Sequence, residues 1–265
     1  MDGLLRIAPA LPFVRPRPII ERNLLVYRRT FLVIFSGFFE PLFYLLSLGF
    51  GLGTLVNAVA LPGGREVSYT VFVAPALLAS SAMNGAIYDS SHNFFFKLKY
   101  GKVYDVILAT PMGVRDVAIG EVCWALIRGS LYAIGFLAVM IGLGLLASPL
   151  GLLAFPAAML VGFAFAATGM AATTFVRKWQ DFDLMQLVIM PMFLFSATFF
   201  PLSTYPGRVQ WLVQLTPLYH GVALERGLML GEVGAALLLH VLYLAVLGLV
   251  GFVGAARRIE RLLLS

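Results

Sequence analysis

The sequence predicts an all-α integral membrane protein with six transmembrane helices, and two observations support this. First, 60% of the 265 residues are hydrophobic and only 12% are Asp, Glu, Lys or Arg, about half the charged share of an ordinary soluble domain. A soluble fold of this size has too little interior to bury so much apolar surface. Second, the chain contains charge-poor runs of about 20 residues or more, the length that a helix needs to cross the hydrocarbon core.

These runs predict six membrane helices within a single domain that covers residues 1–265. The helices are expected at about 31–53, 68–89, 117–146, 150–175, 184–202 and 233–256. Residues 1–30 are predicted to be a cytoplasmic or interfacial segment, 31–256 the membrane domain, and 257–265 a cytoplasmic tail.

Within the N-terminal segment, residues 16–30 predict an amphipathic helix that lies on the membrane surface. Its expected apolar face combines Ile19, Ile20, Leu24 and Tyr27, while the arginines around it lie near lipid phosphates.

Lys and Arg are distributed unevenly over the segments that join the helices. Fifteen of them fall in the N-terminal segment, the loops after helices 2 and 4, and the tail, whereas Arg65, Arg208 and Arg226 fall on the other side. Cytoplasmic segments of membrane proteins are rich in these residues, so both termini are predicted to be cytoplasmic. This topology explains the net charge of +6 without a nucleic-acid partner.

Motifs that would carry chemistry are missing from the sequence. None of the four Lys completes a Walker A loop, there is no H-E-x-x-H, and the single Cys123 cannot form a CxxC site. We therefore expect no catalytic residue, no metal site and no cofactor bound by this chain. Energy for any work must then come from another polypeptide.

The segment after predicted helix 2 is both aromatic and basic. Two interpretations fit it from residue types alone: a membrane-surface anchor with snorkelling lysines, or a knob that docks into a soluble partner. The candidate residues are Phe94, Phe95, Phe96, Lys97, Lys99, Tyr100 and Lys102.

The stretch 200–232 is too rich in Pro and polar residues to span the membrane and too apolar for a solvated loop. It predicts two short helices, 209–215 and 218–230, that dip into the outer leaflet. Thr216 is the expected cap of the second helix, and Pro217 suits its first turn. Tyr219, His220, Glu225 and Arg226 are expected to cap these helices or to gate an exit rather than to form a catalytic cluster.

Two charged residues fall inside predicted helices at similar depth. Glu40 lies about 15 Å and Arg128 about 18 Å from the cytoplasmic side, at 1.5 Å per residue. Because a charge near a helix centre costs about 2.5–3.5 kcal/mol on insertion scales, we expect Glu40 and Arg128 to approach each other, within one subunit or between two. The pair is either a static packing contact or a polar site on a cargo path.

At several points the chain resembles the permease subunits of type-2 ABC exporters, in the branch of nodulation lipo-oligosaccharide and daunorubicin-type drug exporters. The segments that carry the resemblance are EPLFYLL at 40–46, GFGLG at 49–53, KLKYGKVYDVILATPMG at 97–113, TPLYHG at 216–221 and ERG at 225–227. The resemblance covers nearly the whole chain.

This resemblance implies a permease that exports amphipathic cargo (a lipid, a glycolipid or polysaccharide, or a hydrophobic drug) across the bacterial cytoplasmic membrane. It implies two permease subunits, identical or closely related, and two P-loop ATPase subunits that hold ATP and Mg²⁺. It also implies that the segment 94–102 couples to the ATPase and that the outer short helices are re-entrant. Membrane lipids are the remaining expected partner.

Two other functions remain alternatives. An integral membrane enzyme acting on lipids would need convergent acids or histidines, for which Asp89, His92, Asp105 and Asp116 are the clustered candidates. A channel or secondary transporter would need more buried polar residues or inverted repeats.

Overall fold

The computed structural model describes residues 16–28, 39, 41–56, 58–61 and 64–263. The helices in chain order are α1 (Arg17–Arg28), α2 (Pro41–Thr54), α3 (Tyr69–Tyr88), α4 (Val103–Leu108), α5 (Val114–Gly142), α6 (Ala154–Thr173), α7 (Phe182–Phe195), α8 (Gly207–Leu215), α9 (Pro217–Leu230) and α10 (Ala235–Leu263). Strands β1 (Val59–Ala60) and β2 (Glu66–Val67) form a small antiparallel hairpin between α2 and α3.

Four helices in the described part of the chain are long and apolar enough to cross a membrane. They are Tyr69–Tyr100, Val114–Gly142, Pro149–Thr173 and Ala235–Leu263, with 32, 29, 25 and 29 residues. At 1.5 Å per residue, each exceeds the roughly 30 Å of the hydrocarbon core. These four correspond to predicted helices 2, 3, 4 and 6. Of predicted helix 1, residues 31–38 and Glu40 lie outside the described residues, and α2 is the remainder.

The second membrane helix is longer than the sequence predicts. It does not end at residue 89 but continues through π-helical turns at Asp89–Asn93 and Phe96–Tyr100. Polar residues follow position 88, but neither Gly nor Pro occurs between residues 88 and 101 to end the helix. The helix ends there, and Lys102 adopts a left-handed conformation with φ 42°. The aromatic-basic segment is therefore mostly the end of a membrane helix.

The predicted fifth and sixth helices also have different ends. α7 ends at Phe195, whereas the predicted helix extends to residue 202. It ends there because the hydroxyl of the next residue, Ser196, forms a hydrogen bond with the Thr216 hydroxyl, with the two oxygens 2.8 Å apart. α10 continues to Leu263, so most of the predicted tail is helical. The end of α7 depends on a contact from distant sequence, and periodicity does not reveal such a contact.

The core lies around α3, whose buried residues occur along its whole length and contact α5, α6 and α9. α10 packs closely along α6. A side chain at Gly251 would place its Cβ 2.8 Å from the Thr168 nitrogen, so the close approach of the two helices requires a glycine there.

α1 packs against α5 through one edge of its predicted apolar face, which includes Ile19 and Tyr27. Ile19 is 2% exposed and lies over Gly120, and Asn23 and Tyr27 follow it at four-residue spacing. Leu24, expected on the same face, is 57% exposed. Gly120 of α5 has no side chain, and this leaves room for Ile19 at the contact.

Candidate functional site

A buried ion pair joins α5 to the residue that follows α3. Arg128 Nη1 lies 2.7 Å from Asp89 Oδ1, and the two side chains are 6% and 2% exposed. Arg128 Nε donates to the Tyr132 hydroxyl at 2.9 Å. Asn93 donates to the same Asp89 oxygen, and Arg128 Nη1 donates to the Tyr27 hydroxyl of α1 at 3.2 Å. A buried pair is stable only when such hydrogen bonds accompany it, so this group fixes α1, α3 and α5 relative to one another.

The predicted pairing of Arg128 with Glu40 stays a prediction, because Glu40 lies outside the described residues. In the described part, the carboxylate that Arg128 contacts is Asp89. Sequence reasoning missed this partner because it placed Asp89 at the end of a membrane helix. The helix continues to Tyr100, which puts Asp89 about 16 Å from that end.

A cavity of about 340 Å³ lies beside the ion pair, between α2, α3, α5 and α7. Arg128 and Tyr132 line it from α5, Ser81 and Asn84 from α3, and Gln186 from α7. Its volume is typical of small-molecule sites. Polar groups of three helices thus line one cavity.

The aromatic-basic segment divides into a buried and an exposed part. Phe94 and Phe95 are 0% and 1% exposed, whereas Phe96 and Tyr100 are 56% and 59% exposed. Lys99 and Lys102 are exposed as well. We call the four exposed residues, Phe96, Lys99, Tyr100 and Lys102, the docking patch. It presents aromatic and basic groups together at the end of the long helix.

Lys97 lies on the protein-facing side of the same segment. Its Nζ is 2.6 Å from Glu121 Oε2 of α5, with side chains that are 13% and 3% exposed. Sequence analysis did not identify this contact. This contact is a second ion pair between the helix Tyr69–Tyr100 and α5, in addition to Asp89–Arg128. Here the positive charge lies on the first of these helices and the negative charge on α5, the reverse of Asp89–Arg128.

An aromatic cluster connects the segment to α7 and to the cavity. Phe95 contacts Phe182 at a ring-centroid distance of 5.3 Å and Trp179 at 6.3 Å. Phe182 stacks on His92 at 4.2 Å, and His92 stacks on Tyr88 at 5.0 Å. His92 and Tyr88 also line the cavity. Packed rings thus form a continuous path from Phe95, next to the docking patch, to the cavity wall.

At the opposite end, α8 and α9 form as the sequence predicts, with Thr216 at the N-cap and Pro217 in the first turn of α9. The Thr216 hydroxyl bonds to the Val213 carbonyl at 2.6 Å rather than to a helix N–H. His220 Nδ1 lies 2.8 Å from His240 Nδ1 of α10. The Tyr219 ring meets the His220 ring edge-on at 5.6 Å.

Glu225 and Arg226 point to different surroundings on α9. Arg226 donates to the carbonyls of Phe72 and Ala197, at 3.2 and 3.0 Å, and its guanidinium lies 3.8 Å from the centroid of the Phe72 ring. Glu225 is 0% exposed, and neither carboxylate oxygen has a hydrogen-bond partner among the described residues. Arg226 thus ties α9 to α3 and to the chain after α7.

Outside the spanning helices, local contacts shift the pKa values of Tyr27, Tyr104 and Asp181, among others. Burial raises the pKa of the Tyr27 phenol and raises that of Tyr104 well above its ordinary value. The backbone N–H groups of Arg177 and Lys178 donate to Asp181 and lower its pKa. Both phenols therefore stay protonated, and Asp181 stays ionised at neutral pH.

The acids and histidine of the alternative enzyme site do not converge. Asp89 is paired with Arg128, Asp116 accepts from the Gly113 N–H at 2.9 Å, and Asp105 is exposed. Within the described residues, no group of three or more His, Cys, Asp or Glu is placed to hold a metal ion.

Comparison with known proteins gives a family match and a set of similar proteins. The family model for the ABC-2 type transporter matches residues 18–230. The chain is 32% identical to nodulation protein J of Rhizobium leguminosarum bv. viciae over 248 residues, which cover 92% of this chain and 93% of that protein. It is 31% identical to nodulation protein J of Bradyrhizobium diazoefficiens over 267 residues, which cover 99% of each.

Proposed function

The chain belongs to the ABC-2 type transporter family, and from that membership we propose that it is the permease subunit of an ATP-driven exporter of amphipathic molecules. It is an integral membrane protein, and its relatives share nearly its full length. ATP and Mg²⁺ would bind to a separate P-loop ATPase. The complete transporter would contain two permease and two ATPase subunits in the bacterial cytoplasmic membrane, with six spans per permease and both termini inside.

The observation that carries this proposal is the packed connection between an exposed surface and a cavity among the helices. The docking patch lies on the same helix as Asp89 and two cavity-lining residues, Ser81 and Asn84. Rings from Phe95 through Phe182 and His92 connect it to the cavity wall. Closure of an ATPase against the patch would move the end of this helix and reshape the cavity, which gives the ATPase a route to the cargo path.

The decisive experiment asks which proteins co-purify with the chain from its native cells in mild detergent. A P-loop ATPase is expected with the native chain. It should be lost, by at least about tenfold, when Phe96→Ala, Lys99→Ala and Tyr100→Ala are combined, because aromatic and basic groups at an interface centre carry much of its binding free energy.

A matched control removes exposed basic residues of α10, Arg257→Ala with Arg261→Ala, and should retain the ATPase. If crosslinked native protein retains no ATPase at all, the exporter assignment is wrong. If the control loses the ATPase as fully as the patch variant, the docking patch is misplaced.

A further inference from the structure

Three arginines lie close together near the end of α10. On a helical wheel, Arg257, Arg258 and Arg261 fall within an arc of about 100°. Glu260 lies outside this arc, and no ion pair between described residues includes any of the three arginines. We call these three residues the arginine face. It carries positive charge that no ion pair in the described part of the chain compensates.

Arg258 is positioned by an aromatic ring. Its guanidinium carbon lies 4.1 Å from the centroid of the Phe175 ring, just after the end of α6. Arg258 Nε is buried and has no hydrogen-bond partner among the described residues. Contact with a ring face orients the guanidinium plane and leaves its N–H groups able to donate at the edge of that plane. Arg258 is therefore an oriented donor that lacks an acceptor, which the general excess of cytoplasmic Lys and Arg does not require.

An apolar surface adjoins the arginine face along α10. Val246, Val250 and Val253 are exposed and precede Arg257 at spacings of three or four residues, so they share its side of the helix. We call these three valines the apolar stripe. Because α10 is long and apolar enough to cross a membrane, the stripe would face acyl chains while the arginine face lies at the end of the helix.

The combination of charge and shape selects the kind of ligand. A guanidinium donates two parallel hydrogen bonds to the oxygens of a phosphate, and basic groups at the ends of membrane helices recognise anionic head groups. A free anion would meet the arginines but leave the apolar stripe uncovered. A zwitterionic lipid would bring its own cation next to three arginines. A phospholipid with a net negative charge satisfies both surfaces.

We propose that the arginine face and Phe175 bind the phosphate of an anionic phospholipid whose acyl chain lies along the apolar stripe. The bound lipid would link the end of α10 to the chain after α6, because Arg258 and Phe175 belong to these two segments. This inference depends on the membrane location of the chain and not on the proposed export function.

The test uses the full chain in dodecyl maltoside micelles, without the ATPase, and three probes. They are dioctanoylphosphatidylglycerol, dioctanoylphosphatidylcholine, which has the same chains and a phosphate but no net charge, and inorganic phosphate, which has charge but no chains. The readout is the midpoint of thermal unfolding. Only the phosphatidylglycerol is expected to raise it, by about 3 °C at ten times its Kd.

Variants locate the binding. Arg258→Lys keeps the charge but loses the planar donor, and Phe175→Ala removes the ring but no charge. Each should raise the Kd for phosphatidylglycerol roughly three- to tenfold. The matched control is Arg115→Lys, at an exposed arginine in the first turn of α5, and it should leave the Kd unchanged. Combining Arg257→Gln, Arg258→Gln and Arg261→Gln should abolish the shift.

A shift from phosphatidylcholine or inorganic phosphate as large as that from phosphatidylglycerol would overturn the inference, and so would a triple variant that keeps the full shift. If the triple variant does not fold, Arg258→Lys and Phe175→Ala decide. A triple variant that loses a co-purifying ATPase but still binds phosphatidylglycerol would assign the arginine face to a protein partner and overturn the inference. An ATPase that co-purifies with a native chain that phosphatidylglycerol does not stabilise overturns only this inference. The expected lipid shift in a chain that retains no ATPase supports it and overturns only the transport assignment.

Discussion

Asp89 and Arg128 stabilise each other in a setting where neither is stable alone. Their side chains are 2% and 6% exposed, so removal of one leaves the other as an uncompensated buried charge. We expect Arg128→Met to lower the free energy of unfolding by about 3–5 kcal/mol. Thermal or denaturant unfolding in nanodiscs measures this loss.

The matched double variant, Asp89→Leu with Arg128→Met, removes both charges and should recover most of the lost stability, because a buried ion pair is replaceable by apolar groups of similar volume. A double variant as unstable as Arg128→Met would contradict this explanation. It would show that the hydrogen bonds to Tyr132 and Tyr27 carry the stability instead.

Glu225 and Arg226 are neighbours in sequence with opposite expected responses to substitution. Glu225→Gln should leave the unfolding temperature unchanged or raise it, because the buried carboxylate has no partner in the described chain. Arg226→Gln should cost about 2–3 kcal/mol, because two carbonyls lose a charged donor. Unfolding of the two variants side by side is the measurement, and equal losses would contradict the assignment of separate surroundings.

At the scale of elements, α1 approaches α5 closely at Gly120. A Cβ at Gly120 would lie 2.9 Å from Ile19 Cβ, which is fixed to the α1 backbone, whereas a Cβ at Gly129 of the same helix meets nothing within 4 Å. We expect Gly120→Ala to destabilise by about 1–3 kcal/mol through overpacking. Gly129→Ala should be neutral or stabilising by up to about 1 kcal/mol.

A cysteine at Asn23, which is 1% exposed on the docked face of α1, reports on the same element. With Cys123→Ser as background, its reaction with a soluble maleimide should speed up when Gly120→Ala is added and not when Gly129→Ala is added. Equal rates in both would show that α1 is seated by other contacts.

The particular elements show which parts of the fold can be read from sequence. The break between α8 and α9 was predictable, because Thr216-Pro217 stops one helix and starts the next by local chemistry. The end of α7 and the partner of Arg128 were not predictable, because both depend on residues distant in sequence. Ser196, at the end of α7, forms a hydrogen bond with Thr216. Asp89 lies inside the membrane helix only because that helix continues to Tyr100. The cavity was unpredictable for the same reason, because Ser81 and Gln186 meet only after α3 and α7 pack.

At the scale of the whole molecule, α7 is too short to cross the membrane by itself. Its 14 residues extend only about 21 Å, less than the roughly 30 Å hydrocarbon core. Non-helical backbone is tolerated at membrane depth only where protein surrounds it. The chain that follows meets this condition, because Ser196, Ala197 and Thr198 are 0%, 2% and 0% exposed. Arg226 Nη2 also donates to the Ala197 carbonyl at 3.0 Å.

We therefore expect α7 and the buried residues after it to cross the membrane together. In intact cells with Cys123→Ser as background, an impermeant maleimide should label Arg208→Cys but not Lys178→Cys, and both positions are exposed on the protein. Arg257→Cys is the control for the inner side and should react only after the cells are opened. Labelling of Lys178→Cys and Arg208→Cys from the same side would mean that α7 re-enters without crossing. The chain would then have one span fewer than six, and the positions of α8 and α9 relative to the membrane would be inverted.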